Sequence, residues 1–191
     1  MPTLPYSLIE SVAPAVEPVS VDEAKRNSDE DDNYRDADFA RWITEARKQV
    51  EHDARISLIT RTNVLKLDAF PDCDFIELPM PPPIAVSSIT YLDTNGDSQT
   101  WSSGSYTLDA NRTPGVVFLG YNESYPLTRG DRNAVTVTYT AGYGTAVSSV
   151  PSEAKSAILL LVKQRYDNPD SVSNPMGYDA LIQRLGWGAY P

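Results

Sequence analysis

An α+β fold is predicted by three observations on the sequence. Two stretches with a 3.6-residue apolar period lie far apart, near residues 36–55 and 152–166. Between them run several short stretches of period two, and 15 prolines break the chain into many loops. Helix, strands, helix in that order predict a helical layer drawn from both ends of the chain, with a β-rich domain inserted. The expected boundaries are an extended arm at 1–19, a helical domain at 20–60 and 150–185, a β domain at 61–149, and a tail at 186–191.

The arm holds four prolines among scattered apolar residues, which opposes a helix. Ser20-Val21-Asp22-Glu23 reads as a helix start, with Ser20 as N-cap, Glu23 at the capping-box position and acids at the positive end of the dipole. This first helix is short, because Asp29-Glu30-Asp31-Asp32 repel one another and read as a solvated loop. Over 36–55, Phe39, Ile43, Ala46 and Val50 share a face flanked by Trp42 and Ala54, while Arg41, Glu45, Lys48 and His52 lie opposite. That pattern is an amphipathic helix.

The middle predicts strands at 62–70, 75–78, 86–93, 99–101, 106–109, 115–120 and 134–140, with Asn95-Gly96 marking a tight hairpin. Residues 79–83 (PMPPP) read as an extended connector entering an edge strand. The last strand alternates most strictly, Val135, Val137 and Tyr139 against Thr136, Thr138 and Thr140, and stops at Gly142 and Gly144. Pro151 then opens a helix on which Ala154, Ala157, Ile158, Leu161 and Val162 form one stripe, continued by Arg165. Leu159 and Leu160 point away from it, so this helix needs cover on more than one side, from the chain itself or from a neighbouring subunit. A last short helix at 178–185 carries Tyr178, Leu181, Ile182 and Leu185 on one side.

The formal charge of −10 argues against a surface that grips phosphates. One cysteine excludes an intramolecular disulfide. The opening residues carry no basic segment followed by an apolar core, and no run reaches the ~18 apolar residues of a membrane helix, so a soluble, cytosolic setting is expected.

Catalytic constellations are scarce. His52, the lone histidine, falls on the polar face of its helix, which weighs against Ser-His and Cys-His nucleophilic sites within one chain. Cys73 stands between Asp72 and Asp74, an acidic setting unlike that of reactive thiols. The contiguous carboxylates at 29–32 point in different directions and lack the spacing of a calcium loop. No phosphate loop is present, and no cofactor or metal site is expected.

Several fragments, in order, resemble the head-tail connector (neck adaptor) proteins of tailed bacteriophages. PVSVDEAK at 18–25 is similar to the family's opening Pro-x-Ser-Leu-x-Glu-Ala-Lys helix, and ITRTNV at 59–64 is similar to the exit of its second helix. FIELP at 75–79, VSSITYLD at 86–93 with Asn95-Gly96, YTLD at 106–109, Pro114-Gly115 and the 135–144 strand with its AGYG turn complete the progression. The acidic loop after Ser28 departs from the pattern, since the family commonly continues into the second helix with little gap.

The resemblance implies a non-enzymatic virion protein made in the host cytoplasm: a closed, twelvefold ring of identical subunits beneath the portal. A tail or neck completion protein would lie below, and genomic DNA would pass through the channel without specific binding. On this expectation Phe39, Trp42, Leu159 and Leu160 form the subunit interface, and Leu185, Trp187 and Tyr190 dock on the portal. The alternatives are a tail-associated hydrolase and a tail-completion or decoration protein of the particle.

Overall fold

The computed structural model describes residues 6–171 and 173–186. The described residues form an α+β fold with four α-helices and two antiparallel sheets, divided into two compact units. The β unit takes the described residues up to Ala13 together with Arg61–Gly142, and the helical unit takes the rest.

In the β unit, strands β1 (Tyr6–Val12), β2 (Arg61–Leu67), β4 (Pro83–Leu92), β5 (Ser98–Thr100) and β8 (Val135–Ala141) form a sheet in the order β1-β2-β8-β4-β5. Strands β3 (Phe75–Leu78), β6 (Tyr106–Asp109) and β7 (Gly115–Leu119) form a second sheet, β3-β7-β6. Alternation places one face of β2 and one of β8 inward, and Leu65, Val137, Tyr139 and Ile89 meet Ile76, Leu78 and Val117 of the second sheet in one core. The Tyr139 hydroxyl donates to the Pro79 carbonyl, so the polar tip of this buried ring is satisfied.

The arm is the main departure from expectation. Residues 6–12 are a strand, paired antiparallel with β2 from Tyr6↔Leu67 onward. Only Leu8 of this strand packs against the core. An edge strand of that kind leaves no alternating pattern to read.

The helical unit contains α1 (Val21–Asn27), α2 (Asp36–Ala54), α3 (Ser152–Asp167) and α4 (Tyr178–Leu185). Ser20 caps α1 as its sequence predicts, accepting from the Glu23 N–H at 3.1 Å. α2 ends where Arg55 takes a left-handed conformation (φ 56°), and the chain turns back into the core at Ile56 and Leu58. α2 packs against all three other helices, and α3 does likewise. Cover for α3 is thus supplied on more than one side within the subunit, Leu160 alone of its leucines lying outside the core cluster.

Candidate assembly surfaces

α2 is held by a buried charge network as well as by its apolar stripe. Arg47, 3% exposed, donates from Nε to Glu17 at 2.8 Å and from Nη1 to Glu51 at 2.7 Å. Glu51, 2% exposed, also accepts from the Leu58 N–H at 2.9 Å, fastening the segment after α2 to the helix. Burial opposes the Arg47 charge, but hydrogen bonding and charge from Glu17 and Glu51 outweigh it and raise the guanidinium pKa. Nothing in the apolar period distinguished these two residues from solvated ones.

The acidic segment after α1 is an exposed loop as its sequence predicts, and two of its acids have defined partners. Asp32 accepts from the Tyr34 N–H at 3.1 Å, and Glu30 accepts from the Asp32 N–H at 2.9 Å and from the Tyr166 hydroxyl at 3.0 Å. The Asp32 N–H, then Tyr166, hold the Glu30 carboxyl below its usual range. Arg35 lies over both the Trp42 ring (5.7 Å) and the Tyr166 ring (5.2 Å), which ties this segment to α2 and α3.

These contacts settle where the expected interface residues lie. Phe39 is fully buried and Trp42 is 7% exposed; their rings meet edge to face at 5.3 Å, and Phe39 also meets Tyr166 at 5.7 Å. Both belong to the subunit's own core, which corrects their assignment to an intersubunit face. The apolar face of α2 was legible, but what covers it was not: α1, α3 and α4 do so. Leu159 and Leu160 are both half-buried, Leu159 packing at the margin of the same core and Leu160 lying outside it. Arg165 is exposed and does not continue the buried stripe.

Leu185 packs half-buried against the helical core, so it anchors α4 more than it offers a free docking side chain. Trp187 and Tyr190 lie outside the described residues. Within α4, Tyr178 is 1% exposed and its hydroxyl donates to Asp53 at 2.8 Å; burial, then that carboxylate, pushes its pKa up.

Candidate chemistry stays dispersed. The His52 side chain is 88% exposed beside Asp53, and the Cys73 thiol donates to the Phe75 carbonyl at 3.3 Å. Among the described residues no group of three or more His, Cys, Asp or Glu side chains is placed to hold a metal ion, and no helix is long and apolar enough to cross a membrane.

No protein-family model matches the chain, and no curated protein does. Solved structures do. A chain in the neck of an empty gene transfer agent (GTA) particle, computed with C6 symmetry, is 24% identical with a TM-score of 0.79, over 97% of this chain and 100% of that one. A chain in the virion of the native gene transfer agent particle is 23% identical with a TM-score of 0.76, over 96% and 97%. A chain in the neck of the native particle, computed with C12 symmetry, is 26% identical with a TM-score of 0.73, over 97% and 100%. The resemblance to neck proteins read from the sequence is matched by a fold shared, over nearly the whole chain, with these neck structures.

Proposed function

We propose that this chain is a structural, non-catalytic subunit of the neck of a phage-like particle. Copies form a closed ring that joins head to tail, with the portal above and a tail or neck completion protein below, and the genome passes through the opening. The observation that carries this reading is the end-to-end likeness to a chain of the native GTA neck at 26% identity. That the related necks were computed with C6 and C12 symmetry supports a homo-oligomeric ring. The net charge of −10 fits a conduit, since an acidic wall repels the phosphates it must let slide.

Within this reading, Leu160 of α3, with Leu159 beside it at the core margin, contributes to the subunit contact, and the segment after α4, with Trp187 and Tyr190, reaches the portal. Trp187, flanked by Gly186 and Gly188, and Tyr190 are of the residue types that anchor interfaces. Deleting residues 186–191 tests the docking: the free protein should melt as before, yet no longer be retained on portal-bearing capsids. Full retention of the truncated chain would refute the assignment of the tail.

A further inference from the structure

A ring repeats one heterologous contact, so each copy must carry two different complementary patches. Among the described residues the five-stranded sheet ends in two open edges that meet this requirement.

The first edge is β1. The Leu92 N–H bonds to the Ala134 carbonyl, which marks the residues of β8 whose backbone groups face β4. Since such groups alternate along antiparallel strands, Val135 and Val137 turn theirs to β2, and in the observed register Ser7 and Ile9 of β1 turn theirs to β2 as well. The N–H and C=O groups of Tyr6, Leu8 and Glu10 therefore point away from the sheet. Natural edges are blunted by lysine, proline or a bulge. Residues 6–10 carry none of these, the bulge lying beyond Glu10, and Tyr6 (54%), Ile9 (48%) and Val12 (57%) stand exposed along the strand. Its one charge, Glu10, is engaged by Arg61 at 2.8 Å.

The second edge is the first half of β4. β5 pairs only with Thr90–Leu92, which leaves residues 84–88 open on that side beyond the buried Pro83, with Ile84 and Ala85 exposed and no charged side chain. Bulges after Pro83 and after Val86 blunt the ends of this stretch, so pairing is confined to the residues about Ala85 and Val86, and they bend it as sheets bend toward closure.

Direction and face also agree. Three antiparallel steps separate β1 from β4, so the two run in opposite senses. A copy rotated about an axis along the strands brings its β1 beside β4 antiparallel, as in every pairing within the sheet. Leu8 and Val86 both pack against the core of the β unit. The register that keeps these apolar side chains on one face sets Leu8 opposite Val86 and Ile9 opposite Ala85.

We propose that neighbouring copies of this chain join by strand addition, β1 of one pairing antiparallel with residues 84–88 of the next in that register. The proposal rests on the ring reading above and adds a seam between sheets to the contact made by α3.

The test is a double variant, Ile9→Cys with Ala85→Cys in a Cys73→Ser background, assembled on portal-bearing capsids and oxidised. All three positions are at least partly exposed, and facing pairs across strands stand ~4.5–5.5 Å apart at Cβ, within reach of a disulfide. The expected result is a reductant-sensitive ladder of covalent oligomers on a non-reducing gel, absent from either single-cysteine variant. Capsids that carry a full ring of the double variant with no more crosslinking than the single variants would overturn the seam alone. If the wild-type chain is not retained on the capsids at all, the neck reading fails and the seam with it.

Discussion

Replacing Glu51 by alanine is expected to destabilise the helical unit far more than a change at an exposed carboxylate. The Glu51 side chain is almost inaccessible and accepts from both Arg47 and the Leu58 N–H, so its removal strips one carboxylate from a buried guanidinium and one acceptor from a buried amide. Breaking a buried ion pair costs ~3–5 kcal/mol, because the remaining charge stays desolvated. Arg47 keeps its bond to Glu17, which points to the lower end, ~3 kcal/mol. For a chain of this size each kcal/mol moves the melting temperature by ~2–4 °C, so a drop of about 6–12 °C is expected. Glu51→Gln retains a carbonyl for Leu58 but loses the charge, and should fall between alanine and wild type. Thermal unfolding followed by far-UV circular dichroism reads both. An alanine variant that melts within about 2 °C of wild type would refute the idea that this network fastens α2 to the segment after it.

Phe39→Ala should cost ~3–5 kcal/mol in urea unfolding, as for other large aromatic core truncations, whereas an interface residue would leave the free subunit unchanged. Leu160→Glu should leave a folded subunit but prevent ring assembly on portals; normal rings would place Leu160 outside the contact. Tyr166→Phe removes the second contributor to the depressed Glu30 pKa, so the Glu30 titration followed by NMR should move up toward the ordinary carboxylate value. A depressed folded pKa stabilises above the ordinary range and loses that contribution as pH falls through the folded value. The wild type should therefore lose stability on acidification that the variant lacks in part, and an unmoved Glu30 midpoint would refute the link.

How legible each part was in the sequence follows from its physics. α2, α3 and α4 were readable because burying one face of a helix imposes a period, and β8 because a strand packed on one side must alternate. β1 was not, since an edge strand that buries only Leu8 is under no such constraint. Phe39 and Trp42 show a second limit: an apolar stripe says that a face is covered, not whether the cover comes from the same chain. Glu51 and Arg47 show a third, because charged residues inside a core are identified only by partners such as Glu17 and the Leu58 amide, which are distant in sequence. The acidic segment after α1 repels itself in isolation, yet the Tyr166 hydroxyl and the Tyr34 N–H give Glu30 and Asp32 fixed places.

The most direct measurement is an electron cryo-microscopy average, computed without imposed symmetry, of particles carrying this protein or of portal-bearing capsids incubated with it. The account predicts a closed ring of identical copies seated between head and tail, with an open channel along its axis and the fold described above fitting each copy. Density for the chain at the tail tip, scattered over the capsid surface, or present as a single copy would contradict it.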